Sequence, residues 1–303
     1  MLLLQQMAVL FIFMMLGFLC GKIKVLTDSS TKSISWIVVN IANPALILSA
    51  GVNNSGTIKG TTLLITFGIS IGVFAVMLLI AALIPRILRV PADDRGLYRV
   101  MTVFSNIGFM GFPVISALYG SDALLYASLF LFPYNILIYT YGIFSMKKRD
   151  AEKEKIQFKK IFNIGVIACI VSILLYLLDV KCPLVVSSTV TSLSNLTAPL
   201  SMMVIGQSFT NIKIKELFTD VRLLIFSLIK LIILPVLVVL VLKLFIKGEM
   251  LLGVCVIMLA TPVGSMTAML AQQYDGNYNL ASKGVALTTI LSVATIPIVF
   301  AIV

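Results

Sequence analysis

The sequence has few charged residues and no histidine. Asp, Glu, Lys and Arg make up only 12% of its 303 residues, whereas a soluble chain is about a quarter charged. Hydrophobic residues make up 60%, and the mean hydropathy is +1.10. Apolar runs of ~20 residues recur, which is long enough to cross a ~30 Å hydrocarbon core. The composition excludes an ordinary soluble domain and predicts an integral membrane protein whose surroundings are the lipid bilayer.

The missing histidine also excludes several kinds of chemistry. The four cysteines do not have metal-ligand spacing, so we expect no metal site, no disulfide framework and no cofactor. The sequence contains no nucleophile–base pair and no nucleotide-binding loop. We therefore expect neither an enzyme nor an ATP-driven pump. A sensor would need an output domain, and the longest loop has only about fourteen residues.

The basic residues are placed as membrane topology requires. The net charge is +11, but Lys and Arg lie between apolar runs and form no basic face, so we expect no nucleic-acid partner. The first run lacks a basic start and a cleavage site, so it is interpreted as a retained span. Ten spans are predicted, at 2–21, 33–51, 61–85, 98–119, 122–146, 161–180, 184–208, 222–246, 250–272 and 281–303.

The loops differ strongly in basic content. The odd-numbered loops with their adjoining span ends hold eighteen of the 23 Lys and Arg residues, and the even-numbered loops hold four. Basic loops stay in the cytoplasm. This predicts a multi-pass protein of the bacterial cytoplasmic membrane with both termini outside.

The most basic loop, 147–160, divides the chain into two halves of five spans, 1–146 and 161–303. A five-span unit repeated once enters the membrane from the opposite side, which is an inverted repeat. The second span of the first half contains NIANP at 40–44, and that of the second half contains NLTAP at 195–199. Three further pairs of spans carry prolines or interruptions in the same order, which supports the repeat.

The fourth and ninth spans carry residues that weaken helices. The fourth contains SNIGFMGFPV at 105–114, and the ninth contains TPVGSMT at 261–267. Proline removes a backbone donor and glycine lowers helix propensity, so we expect breaks at 106–113 and 261–265 that cross near the midplane. In lipid such backbone is tolerated only where it lines a cavity or meets a partner. The candidate substrate-binding residues are Asn106, Gly108, Gly111, Pro113, Thr261, Pro262, Gly264 and Ser265.

The acidic residues constrain the substrate. All twelve lie in loops or at span ends, so no carboxylate is available at mid-membrane to hold a cation. Helix N-termini present free N–H groups and partial positive charge, which favour an anion. The hypothesis is a small organic anion, above all a carboxylate. Asn106, Thr261 and Ser265 would be its hydrogen-bond partners.

A second group of residues has two interpretations each. Lys230 either lies near the anion path as a positive charge or counter-ion, or snorkels to the cytoplasmic surface. The other polar and proline candidates either line the site or stabilise helix contacts. They are Asn40, Asn43, Pro44, Asn195, Pro199, Tyr134 and Asn135.

Three motifs carry a resemblance to a known family. NIANPALILS, SNIGFMGFPVISALYG and ATPVGSMTAMLAQQYDGNYNLASKGVALTTILSVATIPI are similar to the auxin efflux carrier family, whose bacterial members include malate and malonate permeases. The resemblance covers nearly the whole chain. It implies crossed fourth and ninth helices, an elevator-like motion of a transport domain and a homodimer. It also implies that Asn106, Pro113 and Pro262 contact the substrate carboxylate. Gly264 and Ser265 depart from the Ala- or Asn-like residues expected there.

The function that follows is secondary transport. The chain is expected to be an all-α protein that moves mono- or dicarboxylates, such as malate, by alternating access. A passive anion channel or facilitator with the same pore is the alternative, because saturability and counterflow leave no trace in a sequence.

Overall fold

The computed structural model describes residues 2–53, 58, 60–146, 162–211, 217–274 and 276–302. Within these ranges the regular elements are helices, apart from one isolated antiparallel bridge. The first half contains α1 (Leu2–Lys22), α2 (Asp28–Val52), α3 (Gly60–Ile87), α4 (Arg95–Val103), α5 (Ile107–Tyr119) and α6 (Asp122–Met146). The predicted basic loop 147–160 lies outside the described residues.

The described residues of the second half of the chain are also helical. Its helices are α7 (Ile164–Leu177), α8 (Leu184–Ser194), α9 (Thr197–Ser208), α10 (Val221–Leu242), α11 (Glu249–Ala260), α12 (Ser265–Gln273) and α13 (Tyr278–Ile302).

Six of the described helices are long and apolar enough to cross a membrane: α1, α2, α3, α6, α10 and α13. Three shorter apolar helices are α5, α7 and α11. These findings confirm the prediction of an all-helical, multi-pass membrane protein. The ten-span count requires that α4 with α5, α8 with α9, and α11 with α12 each form one span. That arrangement stays a prediction.

Three helical prolines follow a widened turn of π-helix. Val38–Ala42 precedes Pro44, Ile107–Gly111 precedes Pro113, and Ile229–Ile233 precedes Pro235. Proline cannot donate a backbone hydrogen bond, and its ring collides with the carbonyl one turn earlier. A π-turn moves that carbonyl away, so the helix continues through the proline. Pro113 therefore lies in the first turn of a regular helix and does not break it.

The helices pack as two groups. The first bundle consists of α1, α2, α7, α8 and α9, and the crossing bundle consists of α3–α6 and α10–α13. The most extensive helix contacts of the molecule pair α1 with α9 and α7 with α2, both within the first bundle. The contacts between the two bundles are less extensive.

Glycines allow the close contacts in the first bundle. A Cβ at Gly206 of α9 would overlap the backbone of Met14 in α1, and one at Gly51 of α2 would overlap the backbone of Ser172 in α7. Close approach of membrane helices at small residues increases van der Waals contact and hydrogen bonding. The hydroxyl of Ser172 donates to the carbonyl of Ile47 at 2.8 Å. Gly51 and Gly206 each lie seven residues after the proline of NIANP or NLTAP, so the two helix pairs correspond.

Candidate functional site

The two interrupted segments of the crossing bundle lie side by side. Residues 104–106 separate α4 from α5, and residues 261–264 separate α11 from α12. The backbones of the two segments bond to each other, so each supplies partners for groups that the other frees from its helix. The contacts are an antiparallel bridge between Ser105 and Val263, a 2.7 Å bond from Asn106 N to Pro262 O, and a 2.9 Å bond from Gly264 N to Phe104 O.

The break in the ninth span lies where it was predicted, but the break in the fourth does not. We expected the fourth span to be interrupted from Asn106 to Pro113. It is interrupted at 104–106, and helix resumes at Ile107 because the π-turn accommodates Pro113. Gly108 and Gly111 are therefore helical residues.

Asn106 begins α5 as its N-cap. Its side-chain oxygen accepts a bond from the backbone N–H of Phe109 at 3.3 Å, which is the usual role of asparagine at this position. Its side-chain nitrogen Nδ2 is buried and has no hydrogen-bond partner in the described part of the chain. A buried donor without a partner is costly, so this nitrogen is available to a ligand.

The glycines of the site permit close approach. A Cβ at Gly264 would lie 3.1 Å from Ser105 O, which is tighter than ordinary contact, so glycine keeps the two breaks together. A Cβ at Gly108 would lie 3.4 Å from Asn43 Nδ2, which brings α2 of the first bundle against the start of α5. Gly111 is buried and faces Thr261.

Both half-helices that start at the crossing are partly accessible. Gly108 and Phe109 in α5, and Ser265 and Met266 in α12, are half-buried, whereas the breaks themselves are buried. The hydroxyl of Ser265 makes no hydrogen bond to another described residue. The start of each half-helix presents backbone N–H groups and partial positive charge. The accessible part of the crossing is therefore suited to an anion.

Further polar side-chain atoms without a described partner lie near the start of α5. Asn43 is 9% exposed, and its side-chain oxygen has no partner within the described ranges. The turn Ile107–Gly111 packs against α9, where the buried hydroxyls of Thr197 and Ser201 likewise have no described partner. Thr197 and Ser201 were not among the residues predicted from the sequence, although they flank the proline of NLTAP. Thr261 is satisfied locally, because its hydroxyl donates to Met258 O at 2.9 Å.

Lys230 of α10 lies at the first break. Its side chain is completely buried, and its ammonium donates to Thr102 O at 3.0 Å and to Ser105 Oγ at 2.7 Å. The snorkelling alternative is therefore wrong, because the carbonyl end of α4 draws the ammonium into the bundle. No local sequence pattern connects Lys230 with Ser105 or Thr102.

The second break is supported from α13. The backbone N–H of Val263 donates to Thr288 Oγ1 at 3.1 Å, and that hydroxyl donates to Gly284 O at 2.7 Å. Thr288 thus satisfies a backbone group that the break leaves without a helical partner. It is another supporting residue that the sequence analysis did not identify.

Several candidates are not brought to the crossing. Asn40 donates to Trp36 O in its own helix at 2.9 Å, and Asn195 is exposed between α8 and α9. Asn135 accepts a 2.6 Å bond from Asn163 and so joins α6 to the start of α7. Of these three residues, Asn135 alone makes the contact between helices that the second interpretation describes.

The remaining candidates are packing residues. Tyr134 is buried and meets Phe104 edge to face, with ring centroids 5.4 Å apart, so it supports the first break. Pro44 is buried after its π-turn, and Pro199 is half-buried in the first turn of α9. A largely apolar cavity of about 20 Å³ borders Ser105, which is space for about one water molecule.

Apolar membrane-length helices around two broken helices that meet inside the bundle define an integral membrane protein of the transporter type. The chain belongs to the membrane transport protein family, whose model matches residues 2–300. This agrees with the resemblance to the auxin efflux carriers that the motifs carry. The chain is also similar to an uncharacterized transporter of Methanothermobacter thermautotrophicus, with 21% identity over 295 residues, 95% of this chain and 94% of the relative. Membership of a transporter family is consistent with the expectation that the chain is not an enzyme.

Proposed function

We propose that the protein is a secondary transporter that carries small organic anions, mono- or dicarboxylates such as malate, across the cytoplasmic membrane. The observation that carries this proposal is the pair of half-helices that start at one buried crossing beside Asn106 Nδ2, which has no partner among the described residues. No Asp or Glu is found among the buried polar residues of the described chain. The electrostatics of such a crossing favour an anion.

The substrate carboxylate would bind at the accessible starts of α5 and α12. Asn106 Nδ2 and the Ser265 hydroxyl would donate to it, together with free backbone N–H groups near Gly108 and Ser265. Asn43 would approach from the first bundle, since it already lies against Gly108. Charge-assisted hydrogen bonds to a carboxylate are stronger than neutral ones, so a few such donors suffice.

The mechanism we propose is alternating access by an elevator-like movement. The site would lie where the crossing bundle meets the first bundle, and a shift of one bundle against the other would expose it to each side in turn. A passive channel with the same pore is the alternative, and its flux would not saturate with substrate concentration.

The wider architecture belongs to the same proposal. The corresponding glycine contacts at Gly51 and Gly206 support a ten-span inverted repeat of two five-span halves. The homodimer, the bacterial malate or malonate permease subtype and both termini outside follow from the family resemblance and from the basic loops.

The test is counterflow in proteoliposomes that contain purified protein, labelled malate and a panel of unlabelled acids. Saturable counterflow that other carboxylates inhibit is expected for wild type. Asn106→Ala and Ser265→Ala should abolish it without affecting membrane insertion, and Asn195→Ala should behave as wild type. Flux that rises linearly with concentration would indicate a channel. Unchanged uptake by the Asn106 and Ser265 variants would remove the assignment of the site.

A further inference from the structure

The amine of Lys230 lies inside the crossing bundle. Its exposed fraction is 0%, and its two partners are the backbone carbonyl of Thr102 and the hydroxyl of Ser105. The described residues place no carboxylate within salt-bridge distance of this ammonium. An ionisable side chain at such depth is costly and is generally retained for function.

The groups that face Lys230 are those that would bind a free cation. Thr102 lies in the last turn of α4, where helix carbonyls have no helical partner and carry partial negative charge. The hydroxyl oxygen of Ser105 lies in the break that follows. In cation-coupled transporters, unwound carbonyls and the C-terminal ends of half-helices hold the coupling ion. Here the ammonium of Lys230 in α10 donates to a carbonyl at the C-terminal end of a half-helix, Thr102 O, and to the hydroxyl of Ser105.

The π-turn explains how Lys230 reaches this position. Lys230 is the second residue of Ile229–Ile233, which precedes Pro235, and a π-turn changes the direction of the side chains around it. Because the amine is covalently attached to the protein, it cannot leave the protein with the substrate.

We propose that the Lys230 ammonium is a tethered cation which takes the place of a coupling cation at the crossing, so that transport does not require Na⁺. This inference rests on the proposed function for its transport part only. For the protein without substrate, it predicts that removal of the ammonium leaves a site which a small free cation can fill.

The first experiment measures thermal unfolding of purified protein without any organic anion. Lys230→Ala removes three methylene groups and the ammonium, so n-propylammonium is the matching probe. We expect Lys230→Ala to unfold at a lower temperature than wild type and to regain stability with n-propylammonium, more than with the uncharged n-propanol. Lys243→Ala, at the exposed residue that directly follows α10, is the control and should show no such response.

A folded Lys230→Ala protein that n-propylammonium does not stabilise would overturn the proposal, whatever the transport assay shows. If Lys230→Ala does not fold, Lys230→Met and wild type provide the test. Lys230→Met fills the space without a charge, so it should fold, lose counterflow and remain insensitive to the probe.

The second experiment measures malate counterflow by wild type in NaCl and in N-methylglucamine chloride. Equal rates are expected. A requirement for Na⁺ would overturn the tethered-cation role, and full counterflow by Lys230→Met would do the same. Absence of malate counterflow under all conditions would count against the proposed function, while the unfolding experiment would still decide the role of Lys230.

Discussion

Gly206→Ala adds one methyl group at the tightest helix contact of the first bundle. The new Cβ would overlap backbone atoms of Met14 and Phe18 in α1. Backbone atoms cannot turn away as the end of a flexible side chain can, so α1 and α9 must move apart. Since these helices share the most extensive contact in the molecule, the displacement affects packing along its whole length.

The magnitude follows from two opposing terms. Overpacking a well-packed contact costs about 1–3 kcal/mol. Alanine is more favourable than glycine in a helix by up to ~1 kcal/mol, which offsets part of that cost. Because the added Cβ meets backbone atoms, the cost lies at the upper end, and about 3 less ~1 kcal/mol leaves a net destabilisation of about 2 kcal/mol. That corresponds to a drop in unfolding temperature of roughly 4–8 °C. Gly51→Ala should produce a similar drop, because its Cβ would overlap the backbone of Ser172.

The assay is thermal unfolding of the purified variants in one detergent. Gly72→Ala in α3 is the matched control, because Gly72 is exposed and no heavy atom lies within 4 Å of the added Cβ. This control should be as stable as wild type or slightly more stable. If Gly206→Ala unfolds at the same temperature as Gly72→Ala, the close contact between α1 and α9 is refuted.

Two further predictions concern single polar side chains, each with a neighbouring control. Asn43→Ala should reduce malate counterflow by removing the amide beside the start of α5, whereas Asn195→Ala should leave it unchanged because that residue is exposed. Thr288→Val should lower stability by about 1–3 kcal/mol in thermal unfolding, because it leaves the buried N–H of Val263 without its partner. Thr289→Val should have a smaller effect, since its hydroxyl bonds only within its own helix; equal losses would contradict the role of Thr288.

The helical nature of the chain could be predicted because the bilayer dominates its energetics. A run of ~20 apolar residues has few alternatives in lipid, since every backbone group must be satisfied within the segment. The same reasoning predicted a break at 261–265, where proline and glycine interrupt such a run, and the observed interruption is 261–264. The prolines of NIANP and NLTAP each precede by seven residues a glycine, Gly51 or Gly206, that makes a close helix contact in the first bundle.

The exact break in the fourth span could not be predicted. Proline and glycine weaken a helix, but a π-turn can absorb the proline, and nothing in SNIGFMGFPV distinguishes the two outcomes. The interruption at 104–106 depends on bonds to Pro262 and Gly264, far along the chain. The break is therefore a tertiary feature, and local propensity indicates only its neighbourhood.

The orientation of the Lys230 side chain could not be predicted from the sequence either. Its partners are 125 and 128 residues away, so the choice between the bundle interior and the membrane surface depends on which helix packs beside α10. Thr288 is a similar case, because the need for its hydroxyl arises only when the ninth span breaks next to it. Ser105 lay inside the motif, but no local pattern connected it with a lysine.

The most direct test of the account is an experimental structure of the protein with a saturating carboxylate, malate first, compared with one without it. The account predicts extra density between the starts of α5 and α12, within hydrogen-bond distance of Asn106 Nδ2 and close to Ser265. Lys230 should remain bonded to Thr102 and Ser105 in both states. Density for the carboxylate at another place would contradict the crossing as the substrate site. So would a bound carboxylate that makes no hydrogen bond to Asn106 Nδ2.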